Sequence, residues 1–193
     1  MNLLQEQAIA YQKLMKYEYY FVVAYKNKTR TFILRFPVNN FLHLTGIHKL
    51  TDLKVHRMSS EKIFEKCLNG SLKYNDLKRS EFFDLIESRV GLVSRIEKLL
   101  DSEHLVIICN GNFMKKYSNI PADYINEGVI DSHVCYLFLQ NYDKNKKIAN
   151  KQIDATTIVY PISCFRKTKQ DYRQDNMISH ILIKDKRPTT GSI

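Results

Sequence analysis

Residues 17–36, YEYYFVVAYKNKTRTFILRF, predict a β-hairpin around which the rest of the chain is arranged. Tyr17–Tyr25 is rich in aromatic and β-branched side chains, which favour strands, and Lys26–Lys28 is a polar turn. In residues 31–36, Phe32, Leu34 and Phe36 fall on one face of the second strand, which is therefore apolar, and Thr31, Ile33 and Arg35 fall on the other. Two such runs around a short polar turn indicate antiparallel strands.

Helices are predicted on both sides of the hairpin. Before it, residues 4–15 repeat apolar side chains at the spacing of one helical face, which predicts an N-terminal helix. After it, three segments have helical periodicity or helix caps. They are Val38–Leu44, which Gly46 closes; Glu61–Leu68, which Ser59 or Ser60 caps; and Ser80–Asp101, a single long helix with an apolar stripe.

Strands are predicted for most of the chain after residue 104. They are Leu105–Cys109, Ala122–Asn126, His133–Asn141, Thr156–Phe165 and Met177–Lys184, joined by short polar connections. The predicted fold class is therefore α+β: an N-terminal helix and β-hairpin, a helical block, then an antiparallel sheet. One domain is expected over residues 1–185, followed by a flexible C-terminal tail at 186–193.

The chain is basic, and its charge is unevenly distributed. Thirty Lys and Arg face 20 Asp and Glu in 193 residues, and residues 1–58, 59–140 and 141–193 carry about +6, −2 and +6. Such an excess favours an acidic partner, above all nucleic acid. A hydrophobic fraction of 44% excludes a disordered tail protein, and the longest apolar run is far too short for a membrane span.

The cysteines indicate a reducing compartment. Cys67, Cys109, Cys135 and Cys164 are widely separated, and no CxxC pair occurs. Residues 1–11 lack the basic start and continuous apolar run of a secretory signal. Buried, reduced thiols in a cytoplasmic protein are therefore predicted.

Reactive side chains are concentrated in the segment RFPVNNFLHLTGIHKL, which overlaps the end of the hairpin. His43, Thr45, His48 and Lys49 lie within seven positions, at the predicted end of a short helix. The two histidines are five residues apart and would not stack on a continuous helix, but a break at Gly46 lets them converge. Two imidazoles beside a cation can supply the general base, general acid and phosphate-stabilising charge of a metal-free ribonuclease. Alternatively, both histidines are ordinary core or surface residues and Thr45–Gly46 only caps the helix.

Several other residues are candidates for contact with nucleic acid. They are Arg35 on the hairpin, Arg57 behind the histidines, Ser163, Arg166 and Lys167 at a strand end, and Tyr172 and Arg173 in the loop that follows. Cations interleaved with Tyr172 predict backbone contact together with base stacking. The alternative for each of them is a solvated surface position.

Known catalytic motifs of other classes are absent from the sequence. It contains no P-loop, GxGxxG, GxSxG or HExxH, so nucleotide hydrolysis, dinucleotide binding and zinc proteolysis have no support. A metal site at His43, His48 and His56 is conceivable, but no carboxylate is spaced to complete it. No metal and no cofactor is predicted.

The block FLHLTGIHKL at residues 41–50 resembles a block of small phage and mobile-element proteins. These are barnase–EndoU–colicin–RelE-like (BECR) nucleases, in the branch found in phage polyvalent proteins. Two further blocks agree in order and spacing, KIFEKCLNG at residues 62–70 and YPISCF at residues 160–165. The resemblance extends over residues 17–185 and implies an RNase-like fold, with helices packed on an antiparallel sheet.

The resemblance also implies site residues and a function. It makes His43, Thr45, His48 and Lys49 the leading catalytic candidates, with Arg35, Ser163 and Arg166 as candidate phosphate partners. The expected activity is metal-independent endoribonuclease cleavage by a phage or mobile-element toxin in the cytoplasm of a bacterial host, with RNA as substrate, an antitoxin or host protein as a possible partner and no membrane. The alternative is a non-catalytic factor on the same fold, which binds nucleic acid or inhibits a host or defence nucleoprotein.

Overall fold

A computed structural model describes residues 1–25, 28–102, 106–109, 120–142, 156–168, 171–172 and 178–189. The described residues form short helices and seven strands. The α-helices are α1 (Leu3–Leu14), α2 (Asn40–Thr45), α3 (Ser60–Leu68), α4 (Tyr74–Leu77), α5 (Glu87–Val90) and α6 (Ile96–Asp101). The 3₁₀ helices are Ile47–Lys49, Lys54–Arg57, Phe83–Leu85 and Val93–Arg95. The strands are β1 (Tyr17–Tyr25), β2 (Lys28–Leu34), β3 (Val106–Cys109), β4 (Tyr124–Ile130), β5 (His133–Asn141), β6 (Thr157–Arg166) and β7 (Ile178–Pro188).

The sequence predicted the α+β class and most elements correctly. The hairpin pairs Tyr19 with Leu34 and Phe21 with Phe32, and the predicted strand at 133–141 is present with the predicted bounds. The Ser59 hydroxyl accepts a hydrogen bond from the Lys62 N–H at 3.3 Å and begins α3, as predicted. The predicted strand at 122–126 begins and ends later, as β4.

The seven strands close into a barrel in the order β1-β2-β6-β5-β4-β3-β7. The prediction of an antiparallel sheet is wrong at one pair, because β2 and β6 run parallel, with Phe32 opposite Thr157 and Leu34 opposite Val159. The reason is geometric. Strand directions cannot alternate all the way around a closed ring with an odd number of strands, so at least one neighbouring pair must be parallel.

The predicted long helix at 80–101 is wrong. The segment consists of two 3₁₀ helices and two short α-helices, α5 and α6. The residues of the predicted apolar stripe are nevertheless buried, as Ile86, Val90, Val93, Ile96 and Leu100 show. The periodicity therefore identified the buried face of the segment but not its helix type. Tertiary packing prevails over α-helical propensity here, and short 3₁₀ and α-helical turns replace one long helix.

One continuous core lies inside the barrel and beneath the helices. Tyr11 of α1 packs against Phe36, Phe41 and Phe64 with ring centroids 5.4–5.9 Å apart. Each of these aromatic side chains is almost fully buried, and complete burial of such a residue stabilises the fold by about 1.5–3 kcal/mol. A second, smaller cluster covers the outer face of β4 and β5 through Ile125, Tyr136 and Phe138. Cys67, Cys135 and Cys164 are buried free thiols.

The predicted domain end at residue 185 falls inside a strand. β7 continues to Pro188, which pairs with Tyr17 of β1, and the Thr189 N–H donates to the Lys16 carbonyl at 2.9 Å. Residues 186–189 therefore belong to the sheet and do not form a tail, because their backbone forms hydrogen bonds with β1 and with Lys16. Residues 190–193 lie outside the described residues.

Candidate active site

A cleft of about 690 Å³ lies where α2, α5 and the 3₁₀ helix Ile47–Lys49 face the outer side of β5 and β6. Its lining residues come from both charged ends of the sequence and from the helical block between them. They are His43, His48, Lys49, Ser88, Arg89, Ile120, Pro121, Gln140, Ile162, Ser163, Phe165, Arg166 and Thr168. Five of the described lining residues are basic or imidazole side chains and none of them is acidic.

Gly46 places the two histidines side by side. It ends α2 in the left-handed conformation, with φ +80°, and the chain turns directly into the 3₁₀ helix that carries His48. The imidazole rings of His43 and His48 therefore lie 4.7 Å apart between centroids, inclined at 54°. The break that the sequence suggested does bring them together.

A backbone hydrogen bond fixes the ring of His48. Its Nδ1 lies 3.1 Å from the carbonyl oxygen of Leu42. Because a carbonyl oxygen only accepts, Nδ1 must carry the proton, and in the neutral ring the lone pair is left on Nε2. His48 is thus held in the tautomer that a general base at Nε2 requires.

Burial and positive charge favour the neutral form of both histidines. Burial, and then the Arg89 guanidinium, lower the pKa of His43 below its ordinary value. Burial also lowers the pKa of His48; the Leu42 carbonyl opposes this shift, while His43, Lys49 and Arg89 add to it. The pKa of Lys49 is lowered by burial and by Arg89 in the same way. The site is therefore short of negative charge.

Arg89 is a lining residue that the sequence analysis missed. It is only 8% exposed, and its guanidinium donates to the Ser163 hydroxyl on β6. The available signal was its position, because Arg89 follows Ile86 by three residues and precedes Val93 by four, on the apolar stripe of the predicted helix. A charged residue on a face that is otherwise apolar is a stronger indication of function than the same residue at the surface.

Asn40 joins the histidine segment to the sheet. Its side-chain amide donates to the Pro161 carbonyl at 2.6 Å, across 121 residues of sequence, and this contact is buried. It fixes α2 against β6, which brings Ser163 and Arg166 into the same cleft as His43 and His48. The two basic ends of the sequence therefore meet in one place.

Five of the predicted site residues that the structure describes lie outside the cleft, and Thr45, Arg35 and Arg57 are three of them. Thr45 is fully buried, and its hydroxyl donates to the carbonyls of Phe41 and Leu42 at 2.9 and 3.3 Å, so it belongs to the helix backbone rather than to the reacting groups. Arg35 pairs with Glu18 at 2.6 Å on the hairpin. Arg57 is exposed on the 3₁₀ helix Lys54–Arg57 and does not line the cleft.

The predicted stacking residue is also placed elsewhere. Tyr172 is only 5% exposed, with its ring centroid 5.1 Å from that of Tyr136 and 5.3 Å from that of Phe138. It packs into the outer cluster and is not free to stack on a base, because the aromatic pairs already occupy its faces and edges. Lys167 does not line the cleft and forms an ion pair with Asp171. Arg173 lies outside the described residues.

Four of the lining residues are apolar and are called here the apolar wall. They are Ile120, Pro121, Ile162 and Phe165, and the ring of Phe165 stacks on Phe138 with centroids 4.8 Å apart. A cleft with both basic and apolar lining residues suits a ligand with an anionic group and a flat, weakly polar group.

Two further searches of the described residues bear on other functions. They contain no group of three or more His, Cys, Asp or Glu side chains arranged to hold a metal ion. They also contain no helix with the length and apolar character needed to cross a membrane.

Two histidines, a lysine and two arginines line one cleft beside the barrel, and such a set of basic groups favours an anionic ligand. Comparison with protein-family models identifies the family. The model described as phage-Barnase-EndoU-ColicinE5/D-RelE like nuclease4 matches residues 3–190, so the chain belongs to this nuclease family. The resemblance found in the sequence is thereby confirmed, and the mixed α+β barrel is consistent with the BECR nuclease fold. Comparisons with curated proteins and with solved structures found no match.

Proposed function

We propose that this nuclease is a metal-independent endoribonuclease that cuts RNA by general acid–base catalysis with His43 and His48. The observation that carries the proposal is the contact of the two rings, 4.7 Å apart, in a cleft whose described lining residues include no acid. Cleavage of this type needs one group that removes a proton and another that supplies one, next to a positively charged phosphate site.

The hydrogen bond of His48 supports a role for it as general base, with His43 as general acid. With Nδ1–H donated to Leu42, Nε2 of His48 accepts the proton of the ribose 2′-OH as general base. The 2′-oxygen then attacks phosphorus, the bond from phosphorus to the 5′-oxygen breaks, and His43 donates a proton to that leaving oxygen. The products are a 2′,3′-cyclic phosphate and a free 5′-hydroxyl, and Lys49 offsets charge on the phosphate.

The apolar wall supports a single-stranded substrate. Ile162 and Phe165 can contact the face of a nucleobase only when that base is unstacked from its neighbours. A phage or mobile-element toxin that acts on RNA in the bacterial cytoplasm would meet such substrates in tRNA and mRNA loops.

The direct test is cleavage of labelled RNA by the purified protein in the presence of EDTA. We expect cleavage with unchanged rate, 2′,3′-cyclic phosphate ends, and no cleavage of an all-2′-deoxy oligonucleotide of the same sequence, because the nucleophile is then missing. Dependence of the rate on Mg²⁺, or cleavage of the deoxy substrate, would contradict the proposal. Salt-sensitive binding without any cleavage would instead favour the non-catalytic factor.

The lowered histidine pKa values predict an acidic pH optimum. Cleavage needs one neutral and one protonated ring, and both pKa values lie below the ordinary value of about 6.5, so kcat/KM should be highest below pH 6.5. Above both pKa values the protonated fraction of the acid falls, and kcat/KM should drop by about tenfold per pH unit. The residual activity of His43→Ala should lose this alkaline decline. A wild-type rate that rises continuously through pH 8 would contradict the assignment.

A further inference from the structure

Arg89 is a buried cation without a carboxylate partner among the described residues. Its side chain is 8% exposed and lines the cleft, and its Nε has no hydrogen-bond partner. The ion pairs between described residues involve other arginines and lysines but not Arg89. Its fixed positive charge is also felt by His43, His48 and Lys49.

Such an arrangement is unfavourable unless an anion completes it. Removing a charged group from water costs several kcal/mol when no counterion accompanies it, and buried arginines are therefore normally paired. Arginine cannot escape the cost by losing its proton, because its guanidinium remains charged in proteins. An anion that enters the cleft would supply the missing charge.

Ser163 and Phe165 orient the guanidinium before any ligand arrives. One terminal nitrogen donates to the Ser163 hydroxyl, and the guanidinium carbon lies 5.9 Å from the ring centroid of Phe165. A planar fork held in place loses little conformational freedom when it binds, and its geometry matches two oxygens of one phosphate.

We propose that Arg89, positioned by Ser163, forms a preformed anion site that binds the nonbridging oxygens of the RNA phosphate next to His43 and His48. This inference rests on the proposed function for the identity of the ligand, and it assigns the phosphate contact to a residue of the central, near-neutral segment. From the two basic ends of the chain, Lys49 and Arg166 line the same cleft as Arg89.

The test measures binding without turnover. A fluorescent 2′-O-methyl oligoribonucleotide cannot be cleaved, so its Kd reports binding without turnover, and the difference in Kd between variants reports the anion site. Arg89→Met removes the charge but keeps an apolar stem of similar length, and a charge-assisted hydrogen bond of this kind changes affinity by about 10- to 100-fold. We expect Arg89→Met to weaken binding by at least about tenfold. Ser163→Ala should weaken it less, because Arg89 keeps its charge in that variant and loses only the hydrogen bond that positions it.

Arg79→Met is the matched control. Arg79 is exposed and lies outside the cleft, and its replacement by Met changes the net charge by the same amount as Arg89→Met. The Kd of the Arg79→Met variant should therefore differ from that of the wild type by less than about threefold. If Arg89→Met does not fold, Arg89→Lys serves instead, since it keeps the charge but not the fork and should bind weakly while retaining its melting temperature.

A second readout separates a direct contact from general structural damage. Inorganic phosphate should shift the imidazole resonances of His43 and His48 in the wild type and in Arg79→Met, but not in Arg89→Met. Wild-type affinity in Arg89→Met, or unchanged phosphate shifts, would overturn the inference even if the protein cuts RNA. A wild type that binds through Arg89 but never cuts RNA would leave the inference standing and contradict the proposed function.

Discussion

Replacement of His48 by Ala is expected to lower RNA cleavage by about 10²–10⁴-fold, and replacement of His43 by Ala to lower it similarly, because each removes one proton transfer. The fold should survive both changes. His43 is exposed and His48 is partly exposed, and the bond that His48 donates to Leu42 is a single partly buried contact. Single-turnover cleavage and thermal melting of the two variants measure the two expectations separately.

A substrate with a sulfur atom in place of the 5′-bridging oxygen distinguishes the two histidines. A thiolate leaves without being protonated, so it does not need the general acid, but the 2′-OH still needs its base. We therefore expect the thio substrate to restore most of the activity of His43→Ala and little of that of His48→Ala. Rescue of His48→Ala alone would reverse the assignment that rests on the Nδ1–Leu42 contact.

The control for this experiment is His56→Ala. His56 is exposed on the 3₁₀ helix Lys54–Arg57 and does not line the cleft, so its loss should leave cleavage of both substrates within about twofold of the wild type. Full activity of the His43→Ala and His48→Ala double variant on ordinary RNA would remove the basis of the proposed mechanism.

Replacement of Gly46 by Ala is expected to destabilise the protein by about 2–5 kcal/mol. Two costs add: a left-handed conformation costs a residue with a Cβ about 1–2 kcal/mol, and overpacking of a dense core costs about 1–3 kcal/mol. At φ +80° the new Cβ would lie 2.7 Å from Cγ2 of Ile86, which is fully buried and has little room to move. Because Gly46 turns the chain between His43 and His48, cleavage should fall as well.

Gly91→Ala is the matched control for Gly46→Ala. A Cβ at Gly91 would meet no atom within 4 Å, and its φ of −76° is open to any residue. That substitution should be neutral or stabilise by up to about 1 kcal/mol, because alanine has fewer conformations in the unfolded chain. Urea denaturation of both variants gives the comparison, and equal stabilities would show that the turn at Gly46 carries no strain.

The sequence predicted local structure correctly where neighbouring residues determine the backbone conformation. Alternation predicted β2, Ser59 predicted the start of α3, and Gly46 predicted the break that brings His43 and His48 together. At residues 80–101 periodicity identified the buried residues, such as Ile86 and Val90, but predicted one long α-helix where the chain forms 3₁₀ helices and short α-helices.

Sequence could not predict which distant residues share the cleft. Arg35 and Tyr172 are residue types that commonly contact phosphates and bases. In the fold, however, Arg35 forms an ion pair with Glu18, and Tyr172 is buried against Tyr136. Arg89 was not singled out in the sequence, and the fold buries it beside Ser163, which lies 74 residues away in sequence. The burial of Arg89 and Tyr172 depends on packing between distant segments, which no local pattern encodes.

By itself, therefore, the sequence determined the chemistry of the site: a histidine pair hinged at Gly46 and a basic excess at both ends of the chain. Only the tertiary structure decided where that chemistry acts. Seven strands can close only with at least one parallel pair, which here is β2–β6, and with β6 in this position Asn40 reaches Pro161 and anchors α2 above it. The physical reason is that backbone propensities depend on a few neighbouring residues, whereas burial of the core and closure of the barrel depend on contacts between residues far apart in the sequence.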